Sequence, residues 1–105
     1  MNETEIRKLI GKNLRFFRTR TFKEIRNKAN TLVHKPMTQQ RLAENVLSVT
    51  FQQIQKYENG INGLDSIKLY KLSKFFGVPM ECFFDEQLIA HHAFIKVLKD
   101  ENVQQ

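Results

Sequence analysis

Three observations predict an all-α domain. Apolar residues recur at steps of three and four along most of the chain, strand-like alternation is absent, and cap-forming or helix-stopping residues fall where those stripes begin and end. The 105 residues, 41% hydrophobic and 27% charged, are enough for about one small core and leave little room for a second.

The elements follow in order. From Thr4 to about Arg20, Ile6, Ile10, Leu14 and Phe17 form one stripe of an amphipathic helix, with Thr4 as its N-cap. Phe22, Ile25, Ala29 and Leu32 keep helical spacing after a slip of face. They predict a second helical segment, or a bent extension of the first, over about 21–32. Pro36 marks its boundary, because proline disfavours helix at the preceding Lys35. Thr38 caps a helix to about Val46, with Leu42, Ala43 and Val46 facing inward. Thr50 caps the next, to about Asn59, with Ile54 and Tyr57 inward and Gly60 as its stop. After an Asn62-Gly63 turn, Asp65 caps a helix to Phe76 carrying Leu69, Leu72 and Phe76. Gly77 ends it, and Pro79 suits the first turn of a short helix through Phe84. A last amphipathic stretch, about Glu86 to Lys99, holds Leu88, Ile89, His92, Ile95 and Leu98. Residues 1–84 thus read as one domain with an insert at about 21–35, and residues 85–105 as a C-terminal helix and short tail.

The net charge of +6 favours a polyanionic partner. Residues 1–36 hold ten Lys and Arg against three Asp and Glu, whereas residues 79–105 hold two against five. Positive charge therefore gathers in the first third. Solvated helix faces would account for it equally well by charge alone. No apolar run approaches a membrane span, no signal-peptide core is present, and the single Cys82 fits a reducing, cytoplasmic setting. His91 and His92 diverge on a helix, and Cys82 lacks a ligand partner at zinc-like spacing. Neither a phosphate-binding glycine loop nor a nucleophile–base pattern is found. The sequence predicts no enzyme, metal or cofactor, and Cys82 reads as a core filler.

The segment Met37 to Gly60, MTQQRLAENVLSVTFQQIQKYENG, is the most informative. Two short helices separated by a few turn residues can brace and read a DNA duplex if the first lies across the backbone and the second enters the major groove. Ala43 supplies a small residue for the crossing. Leu42, Val49, Ile54 and Tyr57 supply an inner face, leaving Phe51, Gln52, Gln53, Gln55 and Lys56 outward.

The run QQRLAENV…VTFQQIQKYENG resembles the Cro/C1-type (XRE-family, lambda repressor-like) helix-turn-helix proteins. Ile10-Gly11 with Leu14, Phe17 and Arg18 resembles that family's first helix, and Leu69, Leu72, Phe76 and Val78 its fourth. The resemblance implies a compact five-helix domain with an inserted or extended helical segment after the first helix, and a C-terminal helix besides. It implies base contacts from Phe51, Gln52 and Lys56, with Gln53 beside them. Phosphate contacts would come from Gln39, Thr50, Gln55, Asn59 and Asn62, and backbone N–H groups of the loop 59–64 would add to them. Gln39 would also steady the start of the reading helix. Gln can pair bidentately with adenine, Lys can donate to guanine, and Phe can pack on a thymine methyl. Phe51 could instead pack inward, and Gln53 and Gln55 could simply be solvated. Arg18 and Glu58 match a pair that joins the first helix to the end of the reading helix.

Three departures stand out. Between Ala43 and Ile54 the spacing is one residue longer than the family pattern, and Leu47-Ser48 has no glycine where the family often has one. About fifteen residues, Thr21 to Lys35, intervene between the first two helices. They form either a basic arm toward phosphate or a lengthened helix with a solvated face. Gly63 stands where a basic residue is common. The implied function is a dimeric transcriptional regulator, a repressor above all, bound to double-stranded DNA. Phe83, Phe84, Leu88, Ile95 and Leu98 are the candidate two-fold interface, although they could equally close the monomer core. The rival is an antitoxin, a module with a protein partner that keeps DNA binding for autoregulation.

Overall fold

In the computed structural model, which describes residues 1–90 and only the backbone over residues 23–26, helix α1 runs Glu3–Thr19. Its N-cap is Asn2, not Thr4. Asn2 Oδ1 accepts the Glu5 N–H at 2.8 Å, while the Thr4 hydroxyl accepts from Arg7 Nη2 at 3.2 Å. Ile10, Leu14 and Phe16 are buried, and Ile6, expected on the same stripe, is exposed.

Residues 21–36 depart most from expectation. Instead of a helix, Phe22–Arg26 (β1) and Leu32–Pro36 (β2) form an antiparallel hairpin, with Phe22 opposite Pro36 and Arg26 opposite Leu32. The turn is firmly built. Asn27 Oδ1 accepts the N–H groups of both Ala29 and Thr31 at 3.0 Å, and Asn30 sits in the left-handed region at φ 62, which asparagine tolerates better than most residues. The helical spacing of Phe22, Ile25, Ala29 and Leu32 was therefore coincidental. Two short runs holding β-branched and aromatic residues, divided by an Asn-rich turn, decide the local structure.

The helical class holds for the rest. Helix α2, Gln39–Leu42, is capped by Thr38, whose hydroxyl accepts the Arg41 N–H at 3.1 Å. It continues as a π-helical turn, Ala43–Leu47, in which the Ser48 N–H reaches the Ala43 carbonyl. A π turn takes up one residue more than an α turn. It absorbs the extra residue between Ala43 and Ile54. One consequence is that Leu47, expected in the turn, is buried, whereas Val46, expected inward, is only half-buried.

Ser48 then closes the turn at φ 55, ψ 48. A side chain in that conformation costs roughly 1–2 kcal/mol. Ser48→Gly is expected to raise the unfolding free energy by up to about 1 kcal/mol, since glycine's greater freedom in the unfolded chain offsets part of the gain. Urea unfolding reads this directly, and a destabilised variant would mean that the serine itself holds the turn.

Helix α3, Phe51–Glu58, is capped by Thr50, and helix α4, Ser66–Phe76, by Asp65. Hydrogen bonds from the Lys68 ammonium and then the Lys68 backbone N–H hold the Asp65 carboxyl below its ordinary range. A 3₁₀ helix, Met80–Phe84, follows Pro79. The core gathers Ile10, Leu14, Leu42, Leu47, Ile54, Tyr57, Leu69, Leu72 and Phe83. Phe17 joins three elements at its edge, with ring centroids 5.6 Å from Phe76 and 5.2 Å from Phe83.

Asn13 is the least expected core residue. It is 1% exposed, and its amide donates to the carbonyls of Phe83 and Asp85 at 3.0 Å and of Cys82 at 3.3 Å. These bonds satisfy carbonyls at the end of the 3₁₀ helix and lock it onto α1.

Candidate nucleic-acid interface

Helix α3 presents its outer face because α1 holds its inner face and C-terminal end. At Gly11 the two helices approach so closely that a Cβ would be driven against the Tyr57 carbonyl oxygen and would stand 2.6 Å from the Glu58 carbonyl oxygen. Further along, Arg18 forks onto Glu58, Nε to Oε2 at 2.6 Å and Nη2 to Oε1 at 2.9 Å. The Arg18 and Glu58 side chains are only 11% and 2% exposed. Arg18 Nη1 also donates to the Met37 carbonyl at 2.8 Å, and Gln39 Nε2 to Glu58 Oε1 at 2.9 Å. One buried carboxylate thus joins α1, the entry to α2 and the end of α3. The resemblance pointed to the Arg18–Glu58 pair; its burial and the third member, Gln39, emerge only from the fold.

Beyond Glu58, Gly60 turns the chain at φ 72, and its carbonyl accepts from Arg7 Nε at 3.3 Å. A Cβ at Gly60 would meet Lys8 of α1. The N–H groups of Gly60 and Ile61 return to the carbonyls of Tyr57 and Lys56 at 3.1 and 2.9 Å, and that of Asn62 more loosely to Lys56 at 3.4 Å. This narrows one expectation to Gly63 and Leu64 of the loop 59–64. These N–H groups close the helix and do not point outward as donors for phosphate.

The outward surface of α3 carries Phe51, Gln52, Gln55 and Lys56, all exposed, with Ile54, Tyr57 and Glu58 turned inward. Phe51, 38% exposed, stands at a notch between the two helices lined by Gln40, Ala43, Glu44 and Val49. Gln53 is half-buried, and its N–H is taken by the Thr50 cap at 3.2 Å. Thr50, Asn59 and Asn62 are exposed and Gln39 is half-buried. Gln39, at the start of α2, was expected to steady the start of α3, but its bond goes to Glu58 at the far end. One amide hydrogen of Gln39 remains for another acceptor. The face is made of neutral amide donors and acceptors, one ammonium and one aromatic ring.

The five residues assigned to a two-fold interface separate. Phe83 is fully buried in the core of the single chain and is withdrawn from that set, because it fills the space between α1 and α4. Phe84 is 46% exposed and Leu88 half-buried, while Ile95 and Leu98 lie outside the described residues. Cys82 is half-buried, and its thiol is pushed above its ordinary range first by burial and then by the Asp85 and Glu81 carboxylates. Reactive thiolate is correspondingly scarce there. Among the described residues no helix is long and apolar enough to cross a membrane.

Comparison with known proteins agrees with this geometry. Residues 33–81 match the helix-turn-helix family. The match begins inside β2, so α1 and most of the hairpin precede it. The chain is 44% identical over 50 residues to an uncharacterized HTH-type transcriptional regulator of Sinorhizobium medicae, covering 48% of this chain and 35% of that protein. It is 42% identical over 50 residues to an uncharacterized transcriptional regulator in the ATPase CF(0) region of Rhodospirillum rubrum, covering 48% and 45%. The likeness therefore spans less than half the length of these curated relatives. No solved structure matches the chain.

Proposed function

We propose, from the match of residues 33–81 to the helix-turn-helix family and the resemblance to its Cro/C1 type, that this chain is a sequence-specific transcriptional regulator that sets α3 into the major groove. The observation that carries the reading is the exposed face of Phe51, Gln52 and Lys56 on a helix anchored to α1 at its crossing and at its end. Preorganised side chains of these types suit base edges: Gln52 for adenine, Lys56 for guanine and Phe51 for a thymine methyl. Gln53 would act only from the flank. Gln39, Thr50, Gln55, Asn59 and Asn62 would meet phosphates and set register without reading sequence.

In this reading the chain acts as a repressor in the cytoplasm, without cofactor or catalysis. It pairs through Phe84, Leu88 and the residues 91–105 that include Ile95 and Leu98. Pairing places two α3 helices in successive major grooves about 34 Å apart on a partly palindromic site. Residues 1–84 would be the binding domain and residues 85–105 the pairing element. One observation favours the antitoxin reading: α4 leaves Ile67, Tyr70 and Phe75 exposed, interspersed with Lys71 and Lys74, a mixed apolar and basic surface that a protein partner could cover. A toxin-like protein that copurifies with the chain, and is released by Tyr70→Arg, would assign that role.

Selection of bound duplexes from a random pool tests the main reading. Gln52→Ala and Lys56→Ala should each relax preference at distinct base positions and cost about 1–3 kcal/mol on the preferred site. Salt-sensitive binding with no base preference in the native chain would reject sequence reading and leave a nonspecific basic protein.

A further inference from the structure

Among the described residues, the hairpin β1–β2 adds none to the buried cluster, which draws on α1, α2 with its π turn, α3, α4, the 3₁₀ helix and Met37 just beyond β2. The Met37 N–H already meets the Thr21 carbonyl at 2.8 Å, so the chain could pass from α1 to α2 at that point. Among the described residues, the two strands have each other as their main packing partner. Residues 22–36 hold Lys23, Arg26, Lys28 and Lys35 against Glu24 alone. Lys28, at the turn, and Lys35 are exposed, and so are Phe22 and Leu32.

From this placement we propose that the hairpin is a second nucleic-acid contact, an arm that lays its basic turn on the phosphodiester backbone flanking the site read by α3. The proposal rests on the DNA-binding reading above and extends it to a part of the chain outside the family pattern. Its root argues for DNA. β2 leads into Met37, whose carbonyl is held by Arg18, and Gln39, a proposed phosphate contact, follows two residues on. The arm therefore leaves the body at the edge of the proposed interface. Its charge argues the same way, because lysines that neutralise phosphates release counterions and strengthen binding without reading sequence.

A second copy is the competing occupant, since both strands of a two-stranded sheet are edges. In register, however, Lys23 lies opposite Lys35. Lysines on an edge oppose the pairing of two like-charged ribbons. The Asn27 and Asn30 turn presents Lys28 on a preformed tip, and phosphate contact would further order a ribbon that is marginal alone in water.

The test uses the duplex selected by the native chain, with hydroxyl-radical footprinting and a salt titration of affinity. Two variants are compared with the native chain. One is Lys28→Glu. The other replaces residues 24–34 by Asn-Gly between the paired Lys23 and Lys35, the turn that a two-residue hairpin favours. Both should keep the base preference. Lys28→Glu should bind about 5- to 10-fold more weakly near physiological salt and lower the slope of log K against log [salt] by about 1. The shortened hairpin should lose the outermost protected phosphates. An unchanged slope and footprint with Lys28→Glu overturns the arm, as does an unchanged footprint with a shortened variant that melts cooperatively. An altered oligomeric state with an unchanged footprint overturns it as well and assigns the ribbon to contact between copies. A native chain that selects no duplex removes the DNA-binding reading and the arm together, and that result is read before either variant is made.

Discussion

Glu58→Ala is expected to lower the unfolding free energy by about 3–5 kcal/mol, the usual loss when one partner of a buried ion pair is removed. The reason lies in what it leaves behind. Arg18 Nε and Nη2 and Gln39 Nε2 lose their acceptor together, and the Arg18 side chain, 11% exposed, keeps among the described residues the Met37 carbonyl alone. For a small domain with about 5–15 kcal/mol of total stability, that is a large fraction. Urea unfolding of Arg18→Met, Glu58→Met and the double variant Arg18→Met/Glu58→Met completes the measurement. The double variant should lose clearly less than the two single losses added, because well-packed apolar side chains can replace a buried pair at little net cost. Strict additivity would show that the two groups act independently, contrary to their geometry. DNA affinity should fall with Glu58→Ala even where the domain remains folded, since the carboxylate fixes the end of α3.

Gly11→Ala should cost about 3 kcal/mol or more, beyond the ordinary range for a single added methyl in a core. An alanine is usually the better helix residue by about 1 kcal/mol, so the expected sign runs against intrinsic propensity. The added Cβ would meet the backbone carbonyls of Tyr57 and Glu58, which cannot rotate aside as a side chain can. Helix α1 must therefore move away from α3, straining the Arg18 fork seven residues on. Thermal and urea unfolding would both show the loss. A variant as stable as the native chain would mean that α1 and α3 can separate freely, which would also remove the argument that α1 aims the reading helix.

Much of the proposed interface was legible because its signals are local. Thr38, Thr50 and Asp65 each bond the N–H three residues ahead, as their places before apolar stripes predicted. Ile54 and Tyr57 turn inward and Gln52 and Lys56 outward, as helical spacing predicted. The Arg18–Glu58 pair, forty residues apart, was legible only through resemblance, since no periodicity links distant positions. The hairpin is hidden in the spacing because Phe22, Ile25, Ala29 and Leu32 satisfy a helical stripe while the two short runs that hold them also suit strands. The turn residues Asn27 and Asn30 were the overlooked signal. Asn13 was overlooked too, although a lone amide among Ile10, Leu14 and Phe17 invites the question of what it bonds.

What the sequence alone determined is the helical class, the caps of α2, α3 and α4 and the outward face of α3, because each follows from interactions within a few residues. Only the tertiary structure decided that Leu47 replaces Val46 in the core, that Phe83 is unavailable to a partner, and that Gln39 reaches the end of α3. Those outcomes depend on which surfaces meet. A one-residue π turn redirects the side chains that follow it, and a buried polar atom settles wherever a partner completes its hydrogen bonds.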